Sequence, residues 1–414
     1  MKRISAIIAT GLLVAGLAAC GSSNGGSGAS NSGSTTGSSD SKGPIKLMVI
    51  GDFQSSILSL PQIQIGAEAA AKEINAAGGV NGHKIDMLSC NSQANVNVAA
   101  SCASQAVADH VSAVVSMLTL QGTGVWPGLQ AAGIPVIGTE AVLPEDANNA
   151  LSYAIESTPI LQIGQVLSMP GWQQCKRPGV LGLSDNPLAL EDAQKIVQLY
   201  KDQTPSVTAK MVNVTTTTTD LQPAVSALLQ GGTDCVFPLL TPTGDLSVIQ
   251  AVGTSGQKVK MGVVSADAPL ANLVQIGAAA QGVYVDTLFQ EPGTSAAAST
   301  FVSEMKSVDP SIVIDAVGEA SYVGVYMFAE GTKSLSNFSP SNVVKAMNSA
   351  GVITVPLYGP VGPFTANSGL PTLTRVFGYS VYSYEFKGKT LVPSYTSASQ
   401  EPLNIRSAFS QLFG

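Results

Sequence analysis

From residue 45 onward, continuous apolar runs alternate with segments of helical pattern, and this alternation most constrains the fold. The run "IKLMVIG" is apolar except for one lysine, which is typical of a strand buried on both faces. The next segment, "PQIQIGAEAAAKEINAA", puts four apolar residues on one helical face: Ile63, Ala67, Ala70 and Ile74. Further strands and helices alternate at the same spacing, which predicts a parallel sheet covered by helices on both faces.

A second alternating series begins near residue 160. Its strand patterns include "PGVLGLSD", "DCVFPLLT", "KMGVVSAD" and "GVYVDTLF". Near the end, "TRVFGYSVYSYEFKGKTLVP" alternates with period two around a Lys-Gly turn, which predicts an antiparallel hairpin. The sequence therefore predicts an α/β protein with two doubly wound, Rossmann-like parallel-sheet lobes. Because open sheets of this kind bind ligands at the carboxyl ends of their strands, two facing lobes would enclose a ligand cleft.

The N-terminal segment predicts export and attachment to a membrane. Lys2 and Arg3 precede an apolar run of about 16 residues, which suits a signal peptide over residues 1–19. The stretch "LAACG" looks like a bacterial lipobox, so we expect cleavage before Cys20 and lipidation of its thiol. An ordinary signal peptide that leaves Cys20 free is the alternative. Residues 20–43 would form a Gly/Ser-rich tether that holds the folded part at the outer face of the cell membrane.

Charge excludes nucleic acid as a partner. The chain has 20 Lys and Arg against 27 Asp and Glu, a net charge of -7. Binding to phosphates needs clustered basic residues, and no Lys/Arg run follows residue 3.

Cysteine number indicates disulfides. Once Cys20 is assigned to lipid, four cysteines remain, an even number in an exported chain with three possible connectivities. Cys90–Cys102, which closes a short loop, and Cys175–Cys235, which would join the starts of two neighbouring strands, are favoured. Free buried thiols are the alternative.

Neither histidine is placed for catalysis or metal binding. His83 follows the turn after the first helix and His110 follows a later helix, both away from strand carboxyl ends. A serine nucleophile needs a base beside it, and zinc usually needs clustered Cys or His, but no CxxC occurs. We therefore expect a protein that is not an enzyme, with no cofactor and no metal.

The glycine-rich stretch "INAAGGVNGHKI" is not expected to bind phosphate. It runs from helix through turn to strand, whereas phosphate loops run from strand to helix because the anion sits at the helix N-terminus. Gly78 or Gly79 is expected to end the helix in the left-handed conformation, and Asn81-Gly82 to form a tight turn. The stretch would lie opposite the cleft.

Taken in order, these features resemble the type I periplasmic binding proteins, the leucine/isoleucine/valine-binding class of ABC transporters. The resemblance covers about residues 44–395. It rests on "IGAEAAAKEINAAGGVNGHKIDML", "AAGIPVIG", "DCVFPLLTPTGDLSVIQAVGTSG", "AAQGVYVDTLF" and "YGPVGPFTANSGL". It implies that a small ligand binds one lobe, that the lobes close by hinge motion, and that the closed form docks on a membrane permease.

The resemblance also implies three crossovers between the lobes, near residues 158, 288 and 366. Lobe 1 would then comprise residues 44–158 plus 289–366, and lobe 2 residues 159–288 plus 367–414.

In lobe 1, the resemblance places ligand residues after three strands. Thr119 matches the Ser/Thr that in similar proteins holds the ligand α-carboxylate, with Gln121 beside it; a plain helix N-cap is the other interpretation of Thr119. Thr139, Glu140 and Ala141 fall in the second ligand loop. Glu140 departs from the small residues usual there and could hold an ammonium group or face solvent.

The first loop departs most from the family. Relatives usually show a Gly-Pro-Leu-Ser/Thr-Gly type of stretch, and this chain has Asp52, Phe53, Gln54 and Ser55. Phe53 could stack on an apolar ligand side chain or plug the core, and Gln54 is a further candidate contact.

In lobe 2, the candidates are Asn186, Thr241 and Asp267. Relatives often carry an aromatic residue in the loop that holds Asn186. Asp267 is the nearest match to the acidic residue that pairs with the ligand ammonium, and a helix N-cap is the alternative role.

The resulting hypothesis is a monomeric, extracytoplasmic substrate-binding lipoprotein of an ABC importer. It would capture a small amino acid, expected to be branched-chain or otherwise apolar, or a related amide or carboxylate, and deliver it to a permease. The alternative is a ligand-sensing surface lipoprotein of the same fold that is not coupled to transport.

Overall fold

The computed structural model describes residues 42–55, 59–365, 368–394 and 402–413. The predicted signal peptide and Cys20 lie outside these residues, as does the predicted tether except for its last two positions. The first strand already begins at Lys42. None of the described helices combines the length and apolar character that crossing a membrane requires.

The strands, in chain order, are β1 (Lys42–Gly51), β2 (His83–Asn91), β3 (Ala113–Leu118), β4 (Val136–Ile137), β5 (Glu140–Ala141), β6 (Ser152–Tyr153), β7 (Glu156–Ser157), β8 (Pro178–Leu183), β9 (Lys210–Val214), β10 (Cys235–Leu239), β11 (Lys260–Val264), β12 (Val283–Thr287), β13 (Ile353–Val355), β14 (Gly359–Val361), β15 (Ser380–Lys387), β16 (Thr390–Pro393) and β17 (Leu403–Asn404). The α-helices are α1 (Gln62–Ala76), α2 (Val96–Ala108), α3 (Gly122–Ala132), α4 (Pro144–Asn148), α5 (Thr158–Leu167), α6 (Pro187–Gln203), α7 (Gln222–Leu229), α8 (Pro242–Thr254), α9 (Leu270–Ile276), α10 (Ala296–Val308), α11 (Ala316–Thr332), α12 (Pro340–Ser349) and α13 (Arg406–Phe413).

The first lobe is built on a parallel sheet in the order β2-β1-β3-β4-β6. The interior strand β1 is buried from Leu47 to Gly51, as its continuous apolar run predicts. Helix α11 packs against α1 and β3 and is buried on almost all sides. The two helices approach closely because Gly66 of α1 has no side chain: a Cβ there would lie 2.5 Å from the Gly318 carbonyl oxygen.

The second lobe is built on a larger sheet in the order β16-β15-β12-β11-β10-β8-β9. Strands β8 to β12 are parallel, and the predicted hairpin adds β15 and β16 as antiparallel strands beside β12. The short strands β5, β6, β7, β13, β14 and β17 and the helices α4 and α13 have no counterpart in the sequence prediction. The strands among them have two or three residues each, too few to show a periodic pattern.

The chain passes between the lobes three times. After β6 it continues through β7 into α5, which packs on β11 and β12; after β12 it returns to α10 and α11, which pack on α1; after β14 it enters β15. The predicted α/β fold class with two parallel-sheet lobes is therefore confirmed. The residue boundaries assigned to the lobes stay a prediction.

Two disulfides connect the favoured cysteine pairs. The Cα atoms of Cys90 and Cys102 are 5.6 Å apart, and those of Cys175 and Cys235 are 5.9 Å apart. The second bridge joins the segment before β8 to the start of β10, its neighbour in the sheet.

The glycine-rich turn lies between the end of α1 and the start of β2. Gly78 and Gly79 have φ values of 114° and 81°, and Asn81 and Gly82 have φ values of 49° and 81°. Val80 and His83 exchange backbone hydrogen bonds of 2.8 and 3.0 Å across the turn. Since the turn precedes β2, it lies at the amino ends of the parallel strands, opposite their carboxyl ends.

Candidate ligand-binding site

A buried carboxylate lies at the carboxyl ends of the strands in the first sheet. Asp52 follows β1 and is fully buried. Its Oδ1 accepts hydrogen bonds from the Ser92 hydroxyl at 2.6 Å, the Ala94 N–H at 2.7 Å and the Thr119 hydroxyl at 3.3 Å. Its Oδ2 accepts from the Leu120 N–H at 3.1 Å. These five residues are called the Asp52 cradle below.

The cradle is placed where an anion is most stable. Ala94 and Leu120 lie just before the N-termini of α2 and α3, where free N–H groups and the helix dipoles favour negative charge. Gln93 and Ala94 both have positive φ, 55° and 49°, and this turn brings the Ala94 N–H to the carboxylate. The predicted position of a ligand carboxylate beside Thr119 thus lies next to a carboxylate of the protein itself.

Thr119 is committed to this cradle. Its side chain is buried, its hydroxyl contacts Asp52, and it also accepts the Gln121 N–H at 3.1 Å. The N-cap residue of α3 is Gln121, whose side chain makes no capping hydrogen bond. The N-cap interpretation of Thr119 is therefore wrong.

Other lobe 1 candidates divide between core and surface. Phe53 is 7% exposed and belongs to the core, whereas Gln54 is exposed. Asn91 fixes both, since its side-chain oxygen accepts the Phe53 N–H at 3.1 Å and its amide donates to the Gln54 carbonyl at 2.9 Å. Thr139 is fully buried, and its hydroxyl donates a hydrogen bond to the Met117 carbonyl oxygen.

Four glutamates gather where the chain passes between the lobes. They are called the hinge carboxylates: Glu140, Glu156, Glu291 and Glu319. Glu140 and Ala141 form β5, and Glu140 stands opposite Glu156 in the parallel pairing of β5 with β7. Glu140 and Glu291 are half-buried, and Glu156 and Glu319 are buried.

Burial and like charge raise the pKa values of these carboxyls. Burial first, and then the Asp146 carboxylate, raises the pKa of Glu140 to about 7. Burial also raises the pKa of Glu291 to about 7. The pKa of Glu156 is well above its usual range because of burial and the Glu140 and Glu319 carboxylates. That of Glu319 is raised by burial and by Glu291 and Asp315.

Two lobe 2 candidates are helix caps. Asn186 is exposed and caps α6, its side-chain oxygen accepting the Leu188 and Ala189 N–H groups at 3.2 Å each. Thr241 caps α8 by accepting the Gly244 N–H at 3.2 Å. Both side-chain acceptors are thus used within the protein.

Asp267 is not a cap. The N-cap residue of α9 is Pro269, so the N-cap interpretation of Asp267 is wrong. Its half-buried carboxylate instead lies close to the Gln162 side chain of α5. Burial raises the pKa of Asp267 to about 6.

Two further aspartates surround Asp267. Asp245 lies in the first turn of α8 and Asp286 lies near the carboxyl end of β12; both are buried. Burial, together with the Asp267 carboxylate, raises the pKa of each well above its usual range. Asp245, Asp267 and Asp286 are called the lobe 2 carboxylates.

Among the described residues, neither the hinge carboxylates nor the lobe 2 carboxylates form an ion pair with a basic side chain. Within the described ranges, ion pairs form between Lys333 and Glu330 and between Lys387 and Glu385. Neither pair includes a hinge or a lobe 2 carboxylate. The site therefore concentrates carboxyl groups that no basic side chain pairs with among the described residues.

The sequence predicted no ligand-binding role for six of these carboxylates: Asp52, Glu156, Glu291, Glu319, Asp245 and Asp286. A signal existed for Asp286 and Asp52, because a carboxylate inside or directly after an apolar strand needs a partner. The glutamates come from distant chain segments, and no local pattern brings them together.

Comparison with known proteins decides the family. The family model for the periplasmic binding protein matches residues 44–377. This chain belongs to the type I periplasmic binding proteins. Leu/Ile/Val-binding protein homolog 1 of Brucella abortus is 26% identical over 337 residues, covering 78% of this binding protein and 85% of the relative. The family resemblance is thereby confirmed.

Solved structures share the fold at low identity. The leucine-, isoleucine-, valine-, threonine- and alanine-binding protein from Brucella ovis, in a closed conformation, matches with a TM-score of 0.65 and 17% identity, covering 87% of this binding protein and 96% of that chain. A solute-binding protein of an ABC transporter from R. palustris, in complex with benzoate, matches with a TM-score of 0.59 and 14% identity over 87% and 97% of the two chains. These relatives are named as binding proteins and not as enzymes, in agreement with the predicted non-enzymatic role.

Proposed function

We propose that this binding protein is the capture component of an ABC importer, held at the outer face of the cell membrane by a lipid on Cys20. A small solute enters the cleft, the lobes close about the three chain passages, and the closed monomer delivers the solute to a membrane permease. The main support is that loops with acidic side chains follow the carboxyl ends of the strands in both sheets, where open α/β sheets bind ligands. Relatives of this chain are also named as solute-binding proteins.

The solute is a small amino acid or a related compound with an amino group. Asp267 supports the amino group, because its carboxylate is half-buried beside α5 and no ion pair within the described part of the chain includes it. Named relatives bind leucine, isoleucine and valine, so amino acids are the first class to test. A preference for an apolar side chain has less support, since Phe53 is committed to the core.

A thermal-shift screen of the exported chain with amino acids, amides, carboxylates and amines tests solute capture. A true ligand at 1,000 times its dissociation constant should stabilise the fold by about 4 kcal/mol. Failure of every small solute in a broad screen would contradict the proposal.

Uptake separates transport from sensing. Deleting the gene should abolish uptake of the radiolabelled solute that binds. Unchanged uptake, together with altered gene expression in response to that solute, would instead establish the sensing alternative.

A further inference from the structure

Basic side chains gather at one end of the second sheet. The parallel strands β8, β9, β10 and β11 begin at this end, and the hairpin between β15 and β16 turns there too, because β15 runs antiparallel to β12. Exposed basic residues lie just before these strands, at their first positions or in the hairpin: Lys176, Arg177, Lys210, Lys258, Lys260, Lys387 and Lys389. These residues are called the amino-end patch.

The fold brings the patch together from chain segments that lie far apart in the sequence. This is why the sequence itself shows no basic run. The sheet order places β9 and β8 at one side, β11 in the middle, and β15 and β16 at the other side. With about 4.8 Å between neighbouring strands, this end of the sheet is about 30 Å wide. The patch is therefore an extended row of charges and not a single point.

Most of the positive charge in the patch is not neutralised. Among the described residues, one ion pair includes a member of the patch, between Lys387 and Glu385 at 2.9 Å. The Lys260 ammonium donates to the Pro170 carbonyl oxygen at 3.2 Å, which is a neutral acceptor and leaves the charge in place. A surface of this kind attracts negative charge.

Asp234 lies within the row and fixes its geometry. Its carboxylate accepts the backbone N–H groups of Lys176 and Arg177 at 2.7 and 2.9 Å, and its carbonyl oxygen accepts the Lys260 N–H at 2.9 Å. These contacts hold the segments before β8, β10 and β11 together. A hollow of about 430 Å³ beside Asp234 is lined by Lys258 and Lys260 and leaves room for an anionic group.

The opposite end of the same sheet carries the opposite charge. The loops and first helical turns that follow the strands, residues 184–192, 215–222, 240–245 and 265–270, contain six carboxyl groups and no Lys or Arg. Three of these carboxyl groups are exposed: Asp185, Glu191 and Asp220. The second lobe is thus positive at the amino ends of its strands and negative at the carboxyl ends, where the cleft lies.

The width of the patch selects the kind of partner. A small anion can contact only a few charges of a row about 30 Å wide, whereas a surface with many negative groups can contact all of them. The surface of a bilayer that contains anionic phospholipid is such a partner, and it attracts nearby lysine and arginine side chains. A lipid on Cys20 would hold the chain beside a bilayer.

We propose that lobe 2 rests on the anionic phospholipid surface of the membrane through the amino-end patch, so that the cleft faces the solution from which solute arrives. The inference rests on the lipid anchor of the proposed function. The exposed carboxylates at the cleft end favour the same orientation, because the bilayer repels them. Exposed charges are screened by salt and bind weakly one by one, so the contact is reversible and the lobe can leave the bilayer to reach a permease.

Lysine acetylation on the lipid-anchored protein tests this orientation. The protein is placed on vesicles of phosphatidylglycerol and phosphatidylcholine in equal parts, or of phosphatidylcholine alone, and treated with the uncharged reagent N-succinimidyl acetate. Mass spectrometry then gives the acetylation rate of each lysine. On the anionic vesicles, Lys176, Lys258 and Lys389 should react about fivefold more slowly or less. Exposed lysines of lobe 1 should react equally on both kinds of vesicle: Lys72, Lys306 and Lys345.

Salt and charge variants test whether the protection is electrostatic. In about 0.5 M NaCl charges act over only about 4 Å, so the protection should disappear. The patch variant carries three substitutions: Lys258→Gln, Lys387→Gln and Lys389→Gln. The control variant removes the same charge from lobe 1: Lys72→Gln, Lys306→Gln and Lys345→Gln. Protection of Lys176 should be lost in the patch variant and kept in the control variant, and solute binding should be unchanged in both.

The contrary results are distinct. Equal acetylation of the patch on both kinds of vesicle would overturn the inference, as would protection that survives high salt or an equal loss in the control variant. Protection by soluble polyglutamate but not by anionic vesicles would also overturn it, and would assign the patch to an acidic protein. A protein that does not stay on neutral vesicles would contradict the lipid anchor instead, and the same chain mixed with anionic vesicles would still test the patch.

Discussion

Replacing Glu140 with glutamine should stabilise the ligand-free protein at neutral pH. The pKa of Glu140 is raised to about 7, against 4.5 for an ordinary glutamate, chiefly because burial disfavours its charged form. Each pKa unit corresponds to about 1.36 kcal/mol, so ionisation at pH 7.5 costs the folded state about 3 kcal/mol relative to the unfolded chain.

The direction of the pH dependence follows from whether the folded or the unfolded state holds the Glu140 proton. Below pH 4.5 both states are protonated, and Glu140 costs the fold nothing. Between pH 4.5 and about 7 the unfolded chain has lost the proton while the folded protein retains it, so the free energy of unfolding falls as pH rises. Glutamine has the same shape and does not titrate. The Glu140→Gln variant should therefore match the wild type at pH 4 and exceed it by about 3 kcal/mol at pH 7.5.

Urea unfolding of both proteins at pH 4 and pH 7.5 measures this difference. Glu145→Gln is the matched control, because Glu145 is exposed in the neighbouring helix α4 and should change stability by less than about 0.5 kcal/mol. A Glu140→Gln variant that is less stable than the wild type at pH 7.5 would refute the argument, as would an equal gain at both pH values.

Two further outcomes can be measured. Removing the Cys175–Cys235 bridge by alanine substitution should lower the free energy of unfolding by about 4 kcal/mol, and removing Cys90–Cys102 should lower it by about 3 kcal/mol. The bridges span 60 and 12 residues, and a longer closed loop restricts the unfolded chain more. Urea midpoints of the oxidised proteins would check that order. Asp52→Asn should lower stability by about 2 kcal/mol in thermal melts, since an amide NH₂ would face a buried donor.

The sequence predicted those parts of the molecule whose causes are local. Apolar runs predicted the sheet strands, and a helix breaker followed by Asn81-Gly82 predicted the turn that the φ values show. The caps at Asn186 and Thr241 have equally local causes, since each lies within one helical turn, but the sequence prediction gave both residues to the ligand instead. Each of these features is determined by neighbours in the chain, so a single sequence is enough.

The site depends on causes that are not local. Asp52 acquires its cradle from the ends of three strands, and Glu140 meets Glu156 only through strands of two residues. The family resemblance predicts a ligand carboxylate at the start of α3, and this stays a prediction. It gave no sign of the Asp52 carboxylate there, because Asp52 comes from a loop that departs from the family pattern.

The buried carboxylates also bear on how closure depends on the ligand. The hinge carboxylates lie where the chain passes between the lobes, so closing the cleft without a cation would keep like charges together at low dielectric, or require them to take up protons. An ammonium group removes that cost only when it is bound. Since a ligand shifts a conformational equilibrium by its differential affinity for the two states, a cation would favour the closed form far more than a neutral solute of equal size. The same carboxyls that lower the stability of the empty protein would thereby make closure conditional on a cationic ligand.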